Sequence, residues 1–264
     1  MVVSIKASIL ENKKILPDFY RLKIAVPQIS KTAVPGQFVM IKTSSTLDPL
    51  LRRPISLHRI NRDVGTIELV YQVLGKGTIL LSEMVQGELE VMGPLGNGFS
   101  WQQSFKRTAI VGGGCGIAPL LTLAEHLIGN GQEVHVLLGA QNKEKLLNEA
   151  DFKELGCKVL VATDNGSSGR KGFVTEILEE LISTTNLDQV YCCGPLPMTN
   201  GVIKLTKSKM IPCQVSLEER MACGIGACLG CVCQVRNEDG TIGYKRVCHE
   251  GPVFNASELI FEKD

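Results

Sequence analysis

The stretch Cys223-Gly-Ile-Gly-Ala-Cys228-Leu-Gly-Cys231, with Cys248 further along the chain, spaces four thiols as C-x4-C-x2-C…C. This is the plant-type spacing of a [2Fe–2S] cluster, which needs four thiolates around two irons and so a short loop wrapped about it. Gly224, Gly226, Ala227 and Gly230 are small enough to let backbone N–H groups approach the sulfurs. A structural zinc site more often uses paired C-x2-4-C knuckles, which the single C-x2-C fits less well. Cys233 lies nearer than Cys248, but Val232-Cys233-Gln234-Val235 reads as an outgoing strand, where that thiol packs as a small apolar residue. The expected metal ligands are therefore Cys223, Cys228, Cys231 and Cys248.

Two further patterns suit phosphates. Arg52-Arg53-Pro54-Ile55-Ser56 sits where a strand begins, and Gly75-Lys76-Gly77-Thr78 opens a short helix. Arginine pairs bidentately with phosphate, and a helix N-terminus offers free N–H groups to the same anion, so together they can hold one pyrophosphate. Taken singly, they read as a solvated basic pair and an ordinary turn. Gly112-Gly113-Gly114-Cys115-Gly116-Ile117-Ala118-Pro119 lies between a predicted strand and a predicted helix, the context in which a glycine loop brings a dinucleotide phosphate onto a helix N-terminus. The usual pattern places an acidic residue about 20 positions on, at the end of the next strand. Glu133 precedes that strand, and Gln141 and Asn142 follow it, with Lys143 and Lys145 beyond, so NAD and NADP both stay open. Cys115 reads as a loop thiol without a role, although a helix N-terminus lowers a thiol pKa.

Cys193-Gly194-Pro195 ends a strand, where Cys193 is a candidate catalytic contact for a nicotinamide and equally a buried strand-end thiol. Cys157, Cys192 and Cys213 are assigned to packing. His58, His126, His135 and His249 have no ligand-like spacing.

These residues need a scaffold. Residues 1–101 are expected to be all-β, with strands at 37–43, 55–60 and 66–73, a short helix at 78–84, and Gly and Pro punctuation in the manner of a small barrel. Beyond residue 102, strands at 108–111, 134–138, 158–162 and 190–193 alternate with helices at 117–128, 173–182 and 197–207, which means a parallel sheet with right-handed crossovers. In the second helix Val174, Ile177, Leu178 and Leu181 fall on one face. The expected fold is multidomain, α+β and α/β: an antiparallel barrel (1–101), an α/β domain (102–211) and a small cysteine-rich domain (212–264).

Ten cysteines in a chain read as cytosolic suggest metal or redox chemistry rather than disulfides. A net charge of +1 gives no reason to expect nucleic acid or an anionic membrane as partner. Residues 1–12 alternate apolar and polar residues, unlike a signal peptide. The most apolar stretch, 108–128, is broken by glycines, Pro119 and Glu125, so no membrane span is expected there.

The order of Arg53-Pro54-Ile55-Ser56, Gly-Lys-Gly-Thr at 75–78, the glycine loop at 112–119 and Cys-Gly-Pro at 193–195 resembles the ferredoxin–NADP reductase superfamily over about residues 1–210. With the cysteine loop, the whole chain resembles the iron–sulfur flavoprotein subunit of NAD-linked bacterial dihydroorotate dehydrogenase. The resemblance implies FAD on the barrel, NAD as substrate on the α/β domain and the [2Fe–2S] cluster in the C-terminal extension. It places Arg53 at the FAD pyrophosphate and Ser56 in the flavin motif. Val70, Tyr71 and Gln72 match the strand beside the flavin, and Gly77 and Thr78 the phosphate turn. Gly112, Gly113, Gly114 and Gly116 serve the nicotinamide dinucleotide. Many superfamily members carry an aromatic residue just before the motif serine, where Ile55 stands here, and an aromatic C-terminus, whereas this chain ends Phe261-Glu262-Lys263-Asp264.

The resemblance further implies a partner subunit that carries FMN and oxidises dihydroorotate, two copies of each chain, and electron flow through the cluster and FAD to NAD+ in pyrimidine biosynthesis. Leu229 is expected in the docking patch or folded over the cluster. Reductase subunits of hydrogenase, sulfur-reducing and ferredoxin:NADP transhydrogenase complexes are similar, and a zinc-binding regulator is the alternative from another class.

Overall fold

The computed structural model describes residues 2–261, so the chain end at 262–264 lies outside the described residues. The alternation at the N-terminus becomes β1 (Val3–Leu16), which pairs with β2 (Phe19–Ala25). After a short helix α1 (Pro27–Ser30) come β3 (Phe38–Lys42), β4 (Arg53–Asn61), β5 (Thr66–Gln72), helix α2 (Lys76–Glu83) and β6 (Glu88–Leu95). The six strands close an antiparallel barrel in the order β1-β2-β5-β4-β3-β6. Closure leaves no strand edge unpaired. Leu22, Ile24, Ile41, Leu57, Ile67 and Leu69 fill its interior.

The α/β part runs β7 (Arg107–Gly113), α3 (Leu120–Gly129), β8 (Glu133–Ala140), α4 (Glu149–Glu154), β9 (Lys158–Thr163), β10 (Arg170–Lys171), α5 (Val174–Thr184), β11 (Gln189–Cys193), α6 (Leu196–Ser208) and β12 (Cys213–Ser216). A 3-10 turn at Gly114–Ile117 precedes α3, so the helix starts after Pro119 rather than at 117. Val174, Ile177, Leu178 and Leu181 of α5 are buried, as their spacing requires. The cysteine loop leads to a two-stranded ribbon, β13 (Val232–Arg236) and β14 (Ile242–Arg246), and β15 (Val253–Asn255) then returns to the large sheet. That sheet has the order β10-β9-β8-β7-β11-β12-β15, parallel except for the antiparallel β12–β15 pair. Two strands thus lie past the expected boundary at residue 211 and still belong to the α/β sheet. β12 is bound there through the Val190–Cys213 to Cys193–Ser216 register, and β15 is held by β12. Among the described residues no helix is long and apolar enough to cross a membrane.

The barrel and the sheet meet through β4. His58 is wholly buried, with Nδ1 2.8 Å from the Ala118 carbonyl oxygen, just behind the glycine loop. Nδ1 therefore donates to the carbonyl, and Nε2 accepts from Asn148 Nδ2 at 3.3 Å. Thr122 of α3 donates its hydroxyl to the His58 carbonyl at 2.5 Å. Next along the strand, Arg59 pairs with Asp151 (2.8 Å) and Glu125 (3.4 Å). Burial, with Arg59 adding, holds the His58 imidazole below its usual pKa against the raising effect of the Ala118 bond.

Because the unfolded chain takes up the His58 proton first, this group contributes stability above its ordinary pKa that is lost as pH falls through the depressed folded value. His58→Leu is expected to cost about 1–3 kcal/mol at neutral pH. It should also flatten the fall in melting temperature on the acid side of pH 6.5, as read by calorimetry across pH 5–8 against the unaltered chain. An unchanged acid slope would remove His58 from that role.

Candidate redox site: two cavities and a cysteine loop

A cavity of about 310 Å³ opens beside β4 and β5. β4 contributes Arg53, Pro54, Ile55 and Ser56 to its wall, β5 contributes Val70, Tyr71 and Gln72, and α2 contributes Thr78. Residues read from three separate stretches of sequence therefore face one space. A Cβ on Gly77 would collide with the Arg53 guanidinium, so glycine at this place lets the arginine lie across the first turn of α2. The Thr78 hydroxyl oxygen accepts from the N–H groups of Leu74 (2.9 Å) and Gly75 (3.2 Å), fixing the turn. Arg52 is neutralised by Glu90, whereas among the described residues Arg53 donates only to the Leu51 carbonyl. Arg53 and the helix start form a seat that fits a pyrophosphate. The Tyr71 hydroxyl, pushed up to about 12 by burial, donates to Asn12 at 3.1 Å, and its ring stacks on Tyr20 at 5.7 Å. The far wall comes from Glu218, Glu219 and Met221, in the segment between β12 and Cys223. Burial raises the Glu218 carboxyl. No local signal marked this segment as a wall; only the return of the chain past β12 brings it there.

The second cavity, about 590 Å³, lies at the carboxyl ends of β7, β8 and β9, where ligands bind such sheets. Gly113 and Gly114 line it; Gly114 has φ +55° and open space where a Cβ would stand. Gly112 and Gly116 are not on the wall. A Cβ on Gly112 would stand 2.8 Å from Ile117 Cγ1, and one on Gly116 2.6 Å from the Cys193 carbonyl, so these two let the turn pack tightly. Asp164, at the end of β9, faces the cavity with Gln141 and Lys145. An acidic side chain thus reaches the cavity from the end of β9 rather than β8, where a distance counted along the sequence does not find it.

Cys193 is placed differently from the expectation of a nicotinamide contact. Its side chain is 1% exposed and lines neither cavity. Burial pushes the thiol far up, Glu218, Cys192 and Cys115 add to this, and a hydrogen bond with Ser216 opposes it. The parallel pairing of β11 with β7 and β12 encloses the strand end on both sides. Cys115, read as a thiol without a role, lies instead on the walls of both cavities, as does Gln72. Burial pushes Cys115 up to about 12, with Glu218 adding and a hydrogen bond from the Gln72 backbone opposing. The two cavities therefore abut at a Gln72–Cys115 partition.

The cysteine loop sits against the other side of the flavin-sized cavity. Cys231 and Cys248 pack in one apolar cluster with Phe38, Met40, Leu95 and Phe254, and Phe38 also lines that cavity. Backbone N–H groups point at the sulfurs: Gly226 donates to Cys248 Sγ (3.1 Å) and Cys248 to Cys231 Sγ (3.4 Å). Burial works to raise the Cys223 thiol, but hydrogen bonds from the backbones of Ile225, Cys228 and Ala227 and from the Cys228 side chain bring it down to about 6. The side chains of Cys223 and Cys228 lie close enough to act on one another, as do those of Cys231 and Cys248. Among the described residues no three His, Cys, Asp or Glu side chains are grouped to hold a single ion. Thiols in two pairs, ringed by amide donors, fit a two-iron cluster better than a one-metal zinc site.

A closed antiparallel barrel beside a parallel nucleotide-binding sheet, with abutting cavities and a cysteine loop, defines a flavin-dependent reductase with an iron–sulfur module. A solved ferredoxin NADP+ reductase from Neisseria gonorrhoeae with bound FAD and NADP has the same fold (TM-score 0.66, 19% identity, 78% of this chain and 91% of that one). A solved structure of NADH-dependent reduced ferredoxin-NADP oxidoreductase is more similar, with TM-score 0.84 and 32% identity over 96% of this chain and 89% of that one. The family model for the iron–sulfur cluster binding domain of dihydroorotate dehydrogenase B matches residues 218–260, and that for the oxidoreductase NAD-binding domain matches residues 110–204. Similar proteins include the dihydroorotate dehydrogenase B (NAD(+)) electron transfer subunits of Geobacillus sp. (strain WCH70), 43% identical over 96% of this chain and 97% of that one, and of Caldanaerobacter subterraneus subsp. tengcongensis, 44% identical over 97% and 98%. The chain belongs to the family of dihydroorotate dehydrogenase B electron transfer subunits, as an oxidoreductase subunit with an iron–sulfur cluster binding domain and an NAD-binding domain.

Gly224 has φ +72°, and a Cβ there would meet Met40 Cγ at 2.7 Å. Gly224→Val is therefore expected to push the cysteine loop off β3. Iron and acid-labile sulfide per purified chain should fall several-fold while bound flavin stays. Full iron content in this variant would show that the loop tolerates the shift.

Proposed function

We propose that this chain takes electrons from an FMN-containing catalytic subunit that oxidises dihydroorotate and delivers them to NAD+ in cytoplasmic pyrimidine biosynthesis, in an assembly with two copies of each subunit. The observation that carries this reading is the run of three sites in contact: the cysteine loop shares an apolar cluster with Phe38 of the first cavity, and that cavity meets the second at Gln72 and Cys115. When bound, the cluster supplies one-electron relay and the flavin supplies hydride chemistry.

Each residue then has a task. Cys223, Cys228, Cys231 and Cys248 would hold the cluster. The amides of Ile225, Ala227 and Gly226 offset the charge on the sulfurs. Arg53, Gly77 and Thr78 seat the FAD pyrophosphate, while Pro54, Ile55, Ser56, Val70, Tyr71 and Gln72 frame the ring. Gly113 and Gly114 admit the NAD phosphates, with Gly112 and Gly116 holding the turn close to its neighbours. Cys193 supports the turn through packing. Asp164 accepts from the ribose hydroxyls of NAD and repels a 2′-phosphate. Leu229 (62% exposed) and Ile225 (50% exposed), on the loop that carries the ligands, form the docking patch for the catalytic subunit.

A second reading, as a reductase subunit of a ferredoxin:NADP complex, draws on the 32% identity to the solved oxidoreductase. Mixing the purified chain with the FMN-containing subunit separates the two. Dihydroorotate-dependent NADH formation by the pair is expected, and its absence alongside ferredoxin-linked activity would overturn the first reading. In the pair, Cys228→Ser is expected to abolish that activity yet leave NADH oxidation by a small dye, which needs only the flavin. Asp164→Ser is expected to raise NADP+ use relative to NAD+ by about tenfold, a change of roughly 1.4 kcal/mol, in steady-state kinetics with each nucleotide.

A further inference from the structure

Helix α2 is short and lightly held. Of its eight residues only Gly77 and Leu81 are buried, and Ile79 stands 46% exposed. Leu81 packs into the barrel core together with Leu69 and Tyr71. One side chain fixes where a helix sits but leaves it free to tilt. The first turn of this helix has to meet an anion together with Arg53, so its direction matters.

A helix end leaves carbonyls without partners, and the last turn of α2 carries no basic side chain to meet them. Asn12, reaching across from β1, meets them instead. Its Nδ2 donates to the carbonyls of Leu81 (2.7 Å) and Met84 (3.0 Å), and its Oδ1 accepts from the Tyr71 hydroxyl at 3.1 Å. Carbonyls only accept, so the amide has to lie this way round. Asn12 thereby ties the far end of α2 to Tyr71, which borders the first cavity. Gly77, against which Arg53 packs, lies at the other end of the helix, about 10 Å away at 1.5 Å per residue.

We propose that Asn12 is a positioning residue for the flavin site: through α2 it holds the phosphate seat in place against the cavity wall at Tyr71. A helix able to tilt on Leu81 has to be ordered when the ligand arrives, and that cost lowers affinity. With the amide in place the order exists beforehand. The proposal rests on the reading of the first cavity as the FAD site. The competing role for Asn12 is that of a helix cap, which steadies the fold and does nothing for the ligand.

The test is a double-mutant cycle on the full chain freed of flavin, titrated with FAD by quenching of flavin fluorescence well below each variant's melting temperature. Asn12→Ala is expected to weaken FAD about tenfold in the unaltered chain. In the Arg53→Ala background, where the seat has already lost its cation, the same change is expected to matter by less than about twofold. A helix cap that acts only on stability gives no such coupling. Asn12→Asp keeps the size and the acceptor for Tyr71 but cannot donate to Leu81 and Met84. It is expected to weaken FAD as well, which keeps the test meaningful if the alanine variant folds poorly. Equal loss with and without Arg53, or FAD affinity unchanged in both Asn12 variants, would leave Asn12 a cap and overturn the proposal. If Arg53→Ala binds FAD as tightly as the unaltered chain, the phosphate-seat reading itself fails, a different result from failure of the tie alone.

Discussion

A neutral imidazole buried between two sheets governs the geometry of this molecule. β4 carries Arg53–Ser56 into the first cavity and, two residues on, His58 into the seam with α3. Because Nδ1 of His58 bonds the carbonyl of Ala118, just behind the glycine loop, one strand holds both the flavin seat and the register of the dinucleotide loop. The separation of the two cavities is therefore set by a few bonds within a single stretch of β-structure rather than by a loose domain contact. Hydride transfer is sensitive to displacements of about 1 Å, which makes such rigidity functional.

The cysteine loop is anchored by a different force. Its contact with the barrel is apolar, through Met40, Phe38 and Leu95 against Cys231 and Cys248, while the amides of the loop turn inward to the sulfurs. The boundary between the cysteine loop and the first cavity is therefore apolar. The tightness of the fit is visible at Gly224, where no side chain can be accommodated without moving Met40.

Much of this was legible from residue order. The phosphate stretches, the glycine loop and the cysteine spacing are local patterns whose chemistry depends on neighbours in sequence, and they fall at the expected strand and helix ends. α5 was equally plain because its buried stripe repeats with helical period. What escaped depends on contacts between distant segments. Glu218 and Met221 line the first cavity only because β12 ends beside it, and Asp164 reaches the second cavity from the end of β9. Cys193 is enclosed by strand pairing on both sides, whereas the turn places Cys115 on the walls of both cavities. β1 was only partly readable, since only two of its residues, Ala7 and Ile9, are buried.

The return of β15 to the large sheet has a bearing on how current enters the molecule. The segment that bears the thiols is stitched to the same sheet at both its beginning and its end, by β12 and β15, so it is a bight of rope rather than a loose end. It cannot swing out as a tethered shuttle to meet a distant donor. Any donor has to come to it.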